Sequence, residues 1–460
     1  MGISLEKMDK VLKYRWVVFI ILALAYFFVY FHRVSTAVVA ADIMKTFGVG
    51  AASIGLLGSA YFYAYTAMQL PSGILTDSWG VKKTAAVFTL VAAIGAILTG
   101  ISTNFNMVLL GRLLIGAGVA MVYIPVMKVL AIWFRKNEFA SMSGVLLAIG
   151  NIGALSAAAP LAMAAAVLGD WQMVFLLLGI FSVLLAGAIW GFVKEKPEDI
   201  GCPSIPEIEA FEARVEYLPS KKVEKIPMGE ALKRTFGAGM KFWPLSIWFF
   251  FMYGSLMVYQ GLWGGPFFRD VLGWEKASYA GILSFIAIGM IFGCPIAGYL
   301  SDKVLKSRKK VLLMGTAIYI VLWGVIWTQA GNLTSPLAYT LIHFLFGFFG
   351  GFFVVSYAQV KEWFPASIVG TAVGAYNIFP FLGGAIFMTL TGKMMEVAEG
   401  VTASVGQYKS VWFLMFVCML FAFLCLFVSK EKDPEDMLPG SSENPEVNKA
   451  ELSEESLSSK

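Results

Sequence analysis

The sequence predicts an all-α membrane protein with twelve transmembrane helices in two pseudo-symmetric six-helix bundles. Three observations carry this expectation. The 460 residues are 58% hydrophobic and only 14% charged, against about 25% charged in soluble proteins, so lipid must solvate most of the surface. Twelve apolar runs are each long enough to cross a hydrocarbon core that needs roughly 20 residues. The chain also repeats itself. Gly73-Ile74-Leu75-Thr76-Asp77, followed by Gly80, Lys82 and Lys83, returns 225 positions later as Gly298-Tyr299-Leu300-Ser301-Asp302, followed by Arg308, Lys309 and Lys310. Gly48, Ala52, Ser53 and Ser59 match Gly273, Ala277, Ser278 and Ser284 at the same offset.

Helices 1 to 6 are expected near 16–40, 52–72, 83–103, 106–130, 141–165 and 172–193, within an N-terminal bundle of residues 1–193. Helices 7 to 12 follow near 244–266, 278–300, 311–329, 336–358, 367–391 and 410–428, within a C-terminal bundle of residues 244–428. Between them lies a linker, 194–243, with prolines at 197, 203, 206, 219 and 227. It reads as a flexible tether, and the competing reading is a surface amphipathic helix at Met228–Phe236. From 429 to 460 the chain is acidic and poor in apolar residues, a composition that cannot bury enough surface to fold.

Cytoplasmic loops retain Lys and Arg. With the N-terminus inside, the inward segments hold 27 of the 35 basic residues. Both termini are therefore expected in the cytoplasm. The net charge of +5 follows from this topology and gives no argument for nucleic-acid binding. The four cysteines show no metal or disulfide spacing, and helix 1 is too long for a cleavable signal peptide. Neither a phosphate-cradling Gly-Lys-Ser/Thr loop nor a nucleophile motif is present, which argues against an enzyme or an ATP-driven pump.

Arg33 lies 18 residues beyond Arg15, so helical rise carries it roughly 27 Å into the bilayer. A charge there costs about 2.5–3.5 kcal/mol on insertion scales, and such residues usually face a cavity. Arg33 is thus the leading substrate contact, because guanidinium can grip a carboxylate or phosphate through two parallel bonds. Snorkelling to the outer interface is the alternative. Tyr259, Gln260 and Trp263 precede Gly264-Gly265-Pro266 on helix 7, where a backbone break would expose donors and acceptors. Helix 10 adds Tyr357 and Gln359. These five are expected to hold the rest of the substrate.

Arg112, Lys128 and His343 are the candidate coupling or cavity charges. Lys128 is either a second cation near the inner gate or an interfacial snorkel. His343, at the symmetry position of Arg112, has the pKa range of a reversible proton site or is a hydrogen-bonded packing residue. Asn151 and Asn377, in matching parts of helices 5 and 11, can bond across helices. No Asp or Glu falls in the middle of any predicted helix, so the fixed intramembrane charge is positive and should favour anions. The repeated loops read as gates. Gly73 and Gly80 would allow close approach and a tight turn, and Asp77 would accept from a helix N-terminus. Lys82 and Lys83 would stay at the inner interface, and Asp302 and Arg308 would act in the second copy.

The segment Gly73-x-x-x-Asp77-x-x-Gly80-x-Lys82-Lys83 resembles the signature between helices 2 and 3 of the major facilitator superfamily. Gly111-Arg112-x-x-x-Gly116-x-Gly118 is similar to its second motif, and the resemblance covers roughly residues 10–430. The second loop lacks a counterpart of Gly80. Helix 5 does not read like the Gly-Pro-rich motif of the family's drug antiporters, whereas Tyr30-Phe31-His32-Arg33 resembles members carrying organic anions. The resemblance implies a secondary transporter, symporter or antiporter, working by alternating access in the plasma membrane, with helices 1, 4, 7 and 10 lining the cavity. It implies for Arg112 a part in proton coupling or helix packing. The implied partners are lipid, a small organic anion (a carboxylate or phosphorylated metabolite), and protons or a counter-anion, with no cofactor. An amino acid or short peptide is the alternative substrate, and a non-transporting nutrient sensor is the alternative class.

Overall fold

The computed structural model describes residues 5–213, 226–365, 368–397 and 402–431. The described residues form helices joined by short turns, in the order the apolar runs predict. The first half comprises α1 (Leu5–Phe47), α2 (Ala51–Ala67 continued by Gln69–Ser78), α3 (Val81–Gly100), α4 (Phe105–Trp133), α5 (Lys136–Ser156 continued by Ala159–Leu168) and α6 (Trp171–Phe192). The second comprises α7 (Gly239–Leu272), α8 (Lys276–Val304), α9 (Arg308–Gln329), α10 (Pro336–Trp363), α11 (Val369–Met394) and α12 (Val405–Val428). Ten are by themselves long and apolar enough to cross a membrane, and α5 qualifies as a pair bent by 42°. In α2 the helix is parted at Met68 into pieces of 17 and 10 residues.

Several boundaries differ from expectation. α1 runs 43 residues, beyond the predicted 16–40 at both ends, because its polar first turns and its Asp42-to-Phe47 end remain helical outside the apolar window. The expected loop after helix 2 is mostly helix. Gly73 and Asp77 lie within Gln69–Ser78, and Asp302 lies in a π-helical turn, Leu300–Val304, at the end of α8. The turn itself is Trp79-Gly80, where Gly80 adopts φ +89°, a conformation open to glycine.

Small residues bring the helices together, as they must where lipid offers no hydrophobic drive. A Cβ on Gly116 of α4 would lie 2.3 Å from Tyr61 O of α2, and one on Gly347 of α10 would lie 1.9 Å from Ile286 O of α8. Gly116 and Gly347 are matched by the sequence repeat, and Tyr61 and Ile286 are 225 apart. The two bundles thus repeat one backbone contact. Between the halves, α2 packs on α11, α1 on α7 and α5 on α8. At the end away from the termini, Asp42 pairs with Lys276 and Glu396 accepts from the Ala52 N–H. Gly55 and Gly392 touch through their backbones there, with a Cβ on Gly55 only 2.6 Å from Gly392 Cα. The halves are closed at that end.

The linker is more ordered than a free tether. Ile205–Ala213 buries Ile205 and Ile208, and Arg135 at the α4–α5 turn bonds Glu212 at 2.8 Å. Met228–Phe236 is helical as the amphipathic reading proposed, with Ala231 and Thr235 buried on its packing against α11. One linker segment is docked on each half, because each carries an apolar face that the bundle end covers. Residues 214–225 and the acidic tail from 432 onward lie outside the described residues.

Candidate substrate-binding site

Arg33 stands about two thirds of the way along α1 and is 4% exposed. Its guanidinium donates to Tyr253 Oη of α7 at 2.8 Å. Around it are the rings of Tyr30 (4.3 Å from the guanidinium carbon), Phe381 (5.1 Å), Tyr65 (5.5 Å) and Tyr253 (6.0 Å). These groups come from α1, α2, α7 and α11, so both halves contribute. Cation–π attraction is worth more when desolvated, and the rings hold the guanidinium without neutralising it. No carboxylate bonds Arg33 among the described residues, and Nε has no partner. Snorkelling is therefore not what is observed: the charge is buried in protein at the seam between bundles.

The α1–α7 crossing fixes this seam. Ala37 O lies where a Cβ on Gly265 would approach to 2.6 Å, and Arg33 O lies 3.7 Å from the Cβ position of Gly261. α7 does not break near Gly264-Gly265-Pro266. It widens into a π-turn, Tyr259–Trp263, which keeps its backbone bonded while changing which side chains face α1. Gln260, next to Gly261, is 4% exposed and stays at this crossing.

The other predicted substrate contacts are dispersed. Tyr259 turns into the C-terminal bundle, its ring against Trp323, His343, Phe346 and Trp412. Trp263 spends its N–H on Thr391 Oγ1 at 2.9 Å. Gln359 reaches the terminal end, donating to Lys430 O at 3.0 Å. The π-turn and helix rotation that sequence spacing cannot show account for the first two, and depth along α10 for the third. Tyr357 remains near the seam. Its hydroxyl donates to Asn377 Oδ1, and Asn377 Nδ2 donates to Gln69 Oε1 of the other half at 2.9 Å. Asn151, by contrast, bonds Leu147 O of its own helix at 3.0 Å.

The candidate cavity charges are committed elsewhere. Arg112 donates to His32 O at 2.9 Å and lies over Tyr61 at 4.9 Å, so it ties α4 to α1 one residue from Arg33. Lys128 is partly exposed and reaches the repeated loop motif of α2. It pairs with Asp77 at 2.8 Å and bonds Thr76 O at 3.0 Å. His343 is fully buried with Nδ1 2.6 Å from Tyr339 O, among the rings of Tyr259, Phe268 and Tyr339. It is not a cavity charge.

At the terminal end the acceptor roles differ from expectation. Asp77 bonds Lys128, and the N-terminus of α3 is capped by Glu195, which accepts from the N–H of Val81 at 2.7 Å and Lys82 at 2.9 Å. Gly80 makes room for that carboxylate, since a Cβ there would come within 2.5 Å of it. Gly73, however, has nothing within 4 Å of its Cβ position, so close approach is not its role. Lys82 lies 5.3 Å from the Trp190 ring, and Lys83 is exposed. In the second half, Glu431 accepts from the N–H of Arg308 and from Ser307 Oγ at 2.6 Å. Arg308 also joins Asp302, Ser301 and Glu362.

A sequence model of the Major Facilitator Superfamily matches residues 22–348 and 305–456. The chain belongs to that superfamily. It is similar to a hexuronate transporter of Bacillus subtilis (strain 168), 25% identical across 80% of this chain and 85% of the relative. It is also similar to a probable sulfoacetate transporter of Cupriavidus necator, 23% identical across 85% and 89%, and to a probable hexose phosphate transport protein of Chlamydia trachomatis, 23% identical across 85% and 87%. Solved structures with the same fold include an inward-facing, occupied bacterial homolog of the human lysosomal transporter Spinster, at TM-score 0.72 and 17% identity over 93% of this chain and 99% of that one. A D-xylose–proton symporter has TM-score 0.68 and 15% identity, covering 93% and 99%.

As a superfamily member the chain is a multi-pass membrane transport protein and not an enzyme. Within that frame, sequence reasoning missed Tyr65, Tyr253 and Phe381 around Arg33, and Glu195 and Glu431 at the helix caps. Two signals were available. Tyr253 precedes Gln260 by seven residues, two helical turns on one face. Glu195 and Glu431 each stand three residues past the last helix of their bundle, which end at Phe192 and Val428. Nothing in the sequence marks Phe381 among 38 phenylalanines.

Proposed function

We propose that this transporter moves a small organic anion across the plasma membrane by alternating access, with both termini in the cytoplasm and Arg33 as the anion's anchor. The observation that carries the reading is the Arg33 guanidinium: a buried cation at the seam of the two halves, ringed by tyrosines and, among the described residues, bonded by no carboxylate. An unpaired buried charge is costly, so a guest anion that completes it gains what the protein leaves open. Tyr30, Tyr65 and Tyr253 would supply hydroxyls and ring faces to a polyhydroxy body, and Gln260 a further amide. The names of three relatives, for hexuronate, sulfoacetate and hexose phosphate, agree with this chemistry.

Closure by Asp42–Lys276 and Glu396 at the far end would correspond to a state open, or about to open, towards the cytoplasm. The coupling partner is a proton or a counter-anion. Since His343 is enclosed by rings, a proton would travel with the substrate's own carboxylate or at another group. The test is uptake into sealed vesicles. A labelled sugar acid should accumulate intact, while the matching neutral sugar should not. Binding without accumulation would point to a sensor, and accumulation of the neutral sugar alone would remove the anion reading.

A further inference from the structure

The buried cations can be counted, and the count bears on how much negative charge the cargo carries. Among the described residues, the buried residues that can be cationic are His32, Arg33, Arg112 and His343; no Asp or Glu is among the buried residues, and Asp270, whose side chain is 6% exposed, is paired with Arg269. His32 packs against Phe28, Phe31 and Phe175 inside the first bundle. His343 sits in the aromatic interior of the second. Arg112 donates to the α1 backbone at His32 O and lies over the ring of Tyr61, which itself donates to Val29 O at 3.2 Å, all within the first bundle. Lys128, the remaining intramembrane basic residue, is spent on Asp77. Of these, only Arg33 meets side chains of both halves.

The groups around Arg33 are neutral from every helix packed there: Tyr30 on α1, Tyr61 and Tyr65 on α2, Tyr253 on α7 and Phe381 on α11. They can donate hydrogen bonds or stack, but none can balance a second negative charge. A singly charged head group would leave the seam neutral. A phosphate monoester, with about two negative charges above its second pKa near 6, would leave one charge uncompensated in a low-dielectric site.

We propose that the site selects an anion bearing one negative charge, a carboxylate held side-on by Arg33, and discriminates against doubly charged phosphate esters. This rests on the reading that Arg33 anchors the anion. It separates two classes that the relatives' names leave side by side.

The test is calorimetric binding to the full-length purified protein with matched pairs: glucuronate with glucose 6-phosphate, and galacturonate with galactose 6-phosphate. Glucose and galactose serve as neutral controls. At pH 7.5 at least one sugar acid should bind about tenfold or more tightly than its phosphate partner, as one misplaced charge requires. At pH 5.5 the phosphate becomes largely singly charged and the gap should narrow, while sugar-acid affinity stays level. A phosphate ester binding at pH 7.5 as tightly as its sugar acid would overturn the charge count and leave the anion anchor standing. No preference for either anion over the neutral sugars would overturn the anchor, and this inference with it.

Discussion

Arg33 can be probed by substitutions that change its hydrogen bonding without removing its charge. Arg33→Lys keeps the cation but loses the planar fork, so substrate affinity should fall about tenfold or more in a binding assay. Tyr253→Phe removes one hydroxyl from a charge-assisted bond of 2.8 Å, and should weaken binding by about 1–2 kcal/mol while leaving the fold intact. The existence and depth of Arg33 were legible in the sequence, because 18 residues of helical rise from Arg15 fix its height. Its surroundings were not. Which tyrosines meet a guanidinium depends on the rotation of four helices from two bundles, and a single π-turn in α7 sends Tyr259 away and leaves Gln260 at the crossing. For His343 the surroundings favour the packing reading over the proton site. Its Nδ1 is bound to its own helix, so His343→Gln should leave the pH profile of uptake unchanged.

At the level of elements, the helix ends carry the electrostatics. Glu138 sits in the first turn of α5, where it accepts from the Arg135 N–H at 3.0 Å and from Arg15 at 2.8 Å. Burial pushes its carboxyl pKa up, but these hydrogen bonds and charges outweigh it and hold the group below its ordinary 4.5. A depressed folded-state pKa adds stability above the unfolded value, and that stability is lost as pH falls through the folded one. Glu138→Gln should therefore lower the melting temperature at pH 7, and the difference should fade as the medium is acidified. The paired caps Glu195 and Glu431 were illegible in part because they lie beyond the apolar windows that define the helices. The repeated loops were legible as a pattern but not as a structure, since Asp77 and Asp302 are helical and bond Lys128 and Arg308. The Gly116–Tyr61 and Gly347–Ile286 approaches are the strongest agreement between repeat and packing. Gly347→Ala should force α8 and α10 apart at a cost of about 1–3 kcal/mol or more, read as a lower melting temperature.

For the whole molecule, two bundles that repeat one backbone contact are joined mainly by α1–α7, α2–α11 and α5–α8. The linker follows each half, with Ile205–Ala213 on the first and Met228–Phe236 on the second. The proposed alternating access would rock these halves against each other, and the ring-bound cation at their seam is one point where both meet. The most direct measurement is substrate binding and vesicle uptake by Arg33→Ala beside the unaltered protein, with equal melting temperature and membrane insertion checked first. The folded variant should lose both anion binding and accumulation. A folded Arg33→Ala protein that binds and accumulates the same anion with unchanged affinity would contradict the anchoring role of Arg33.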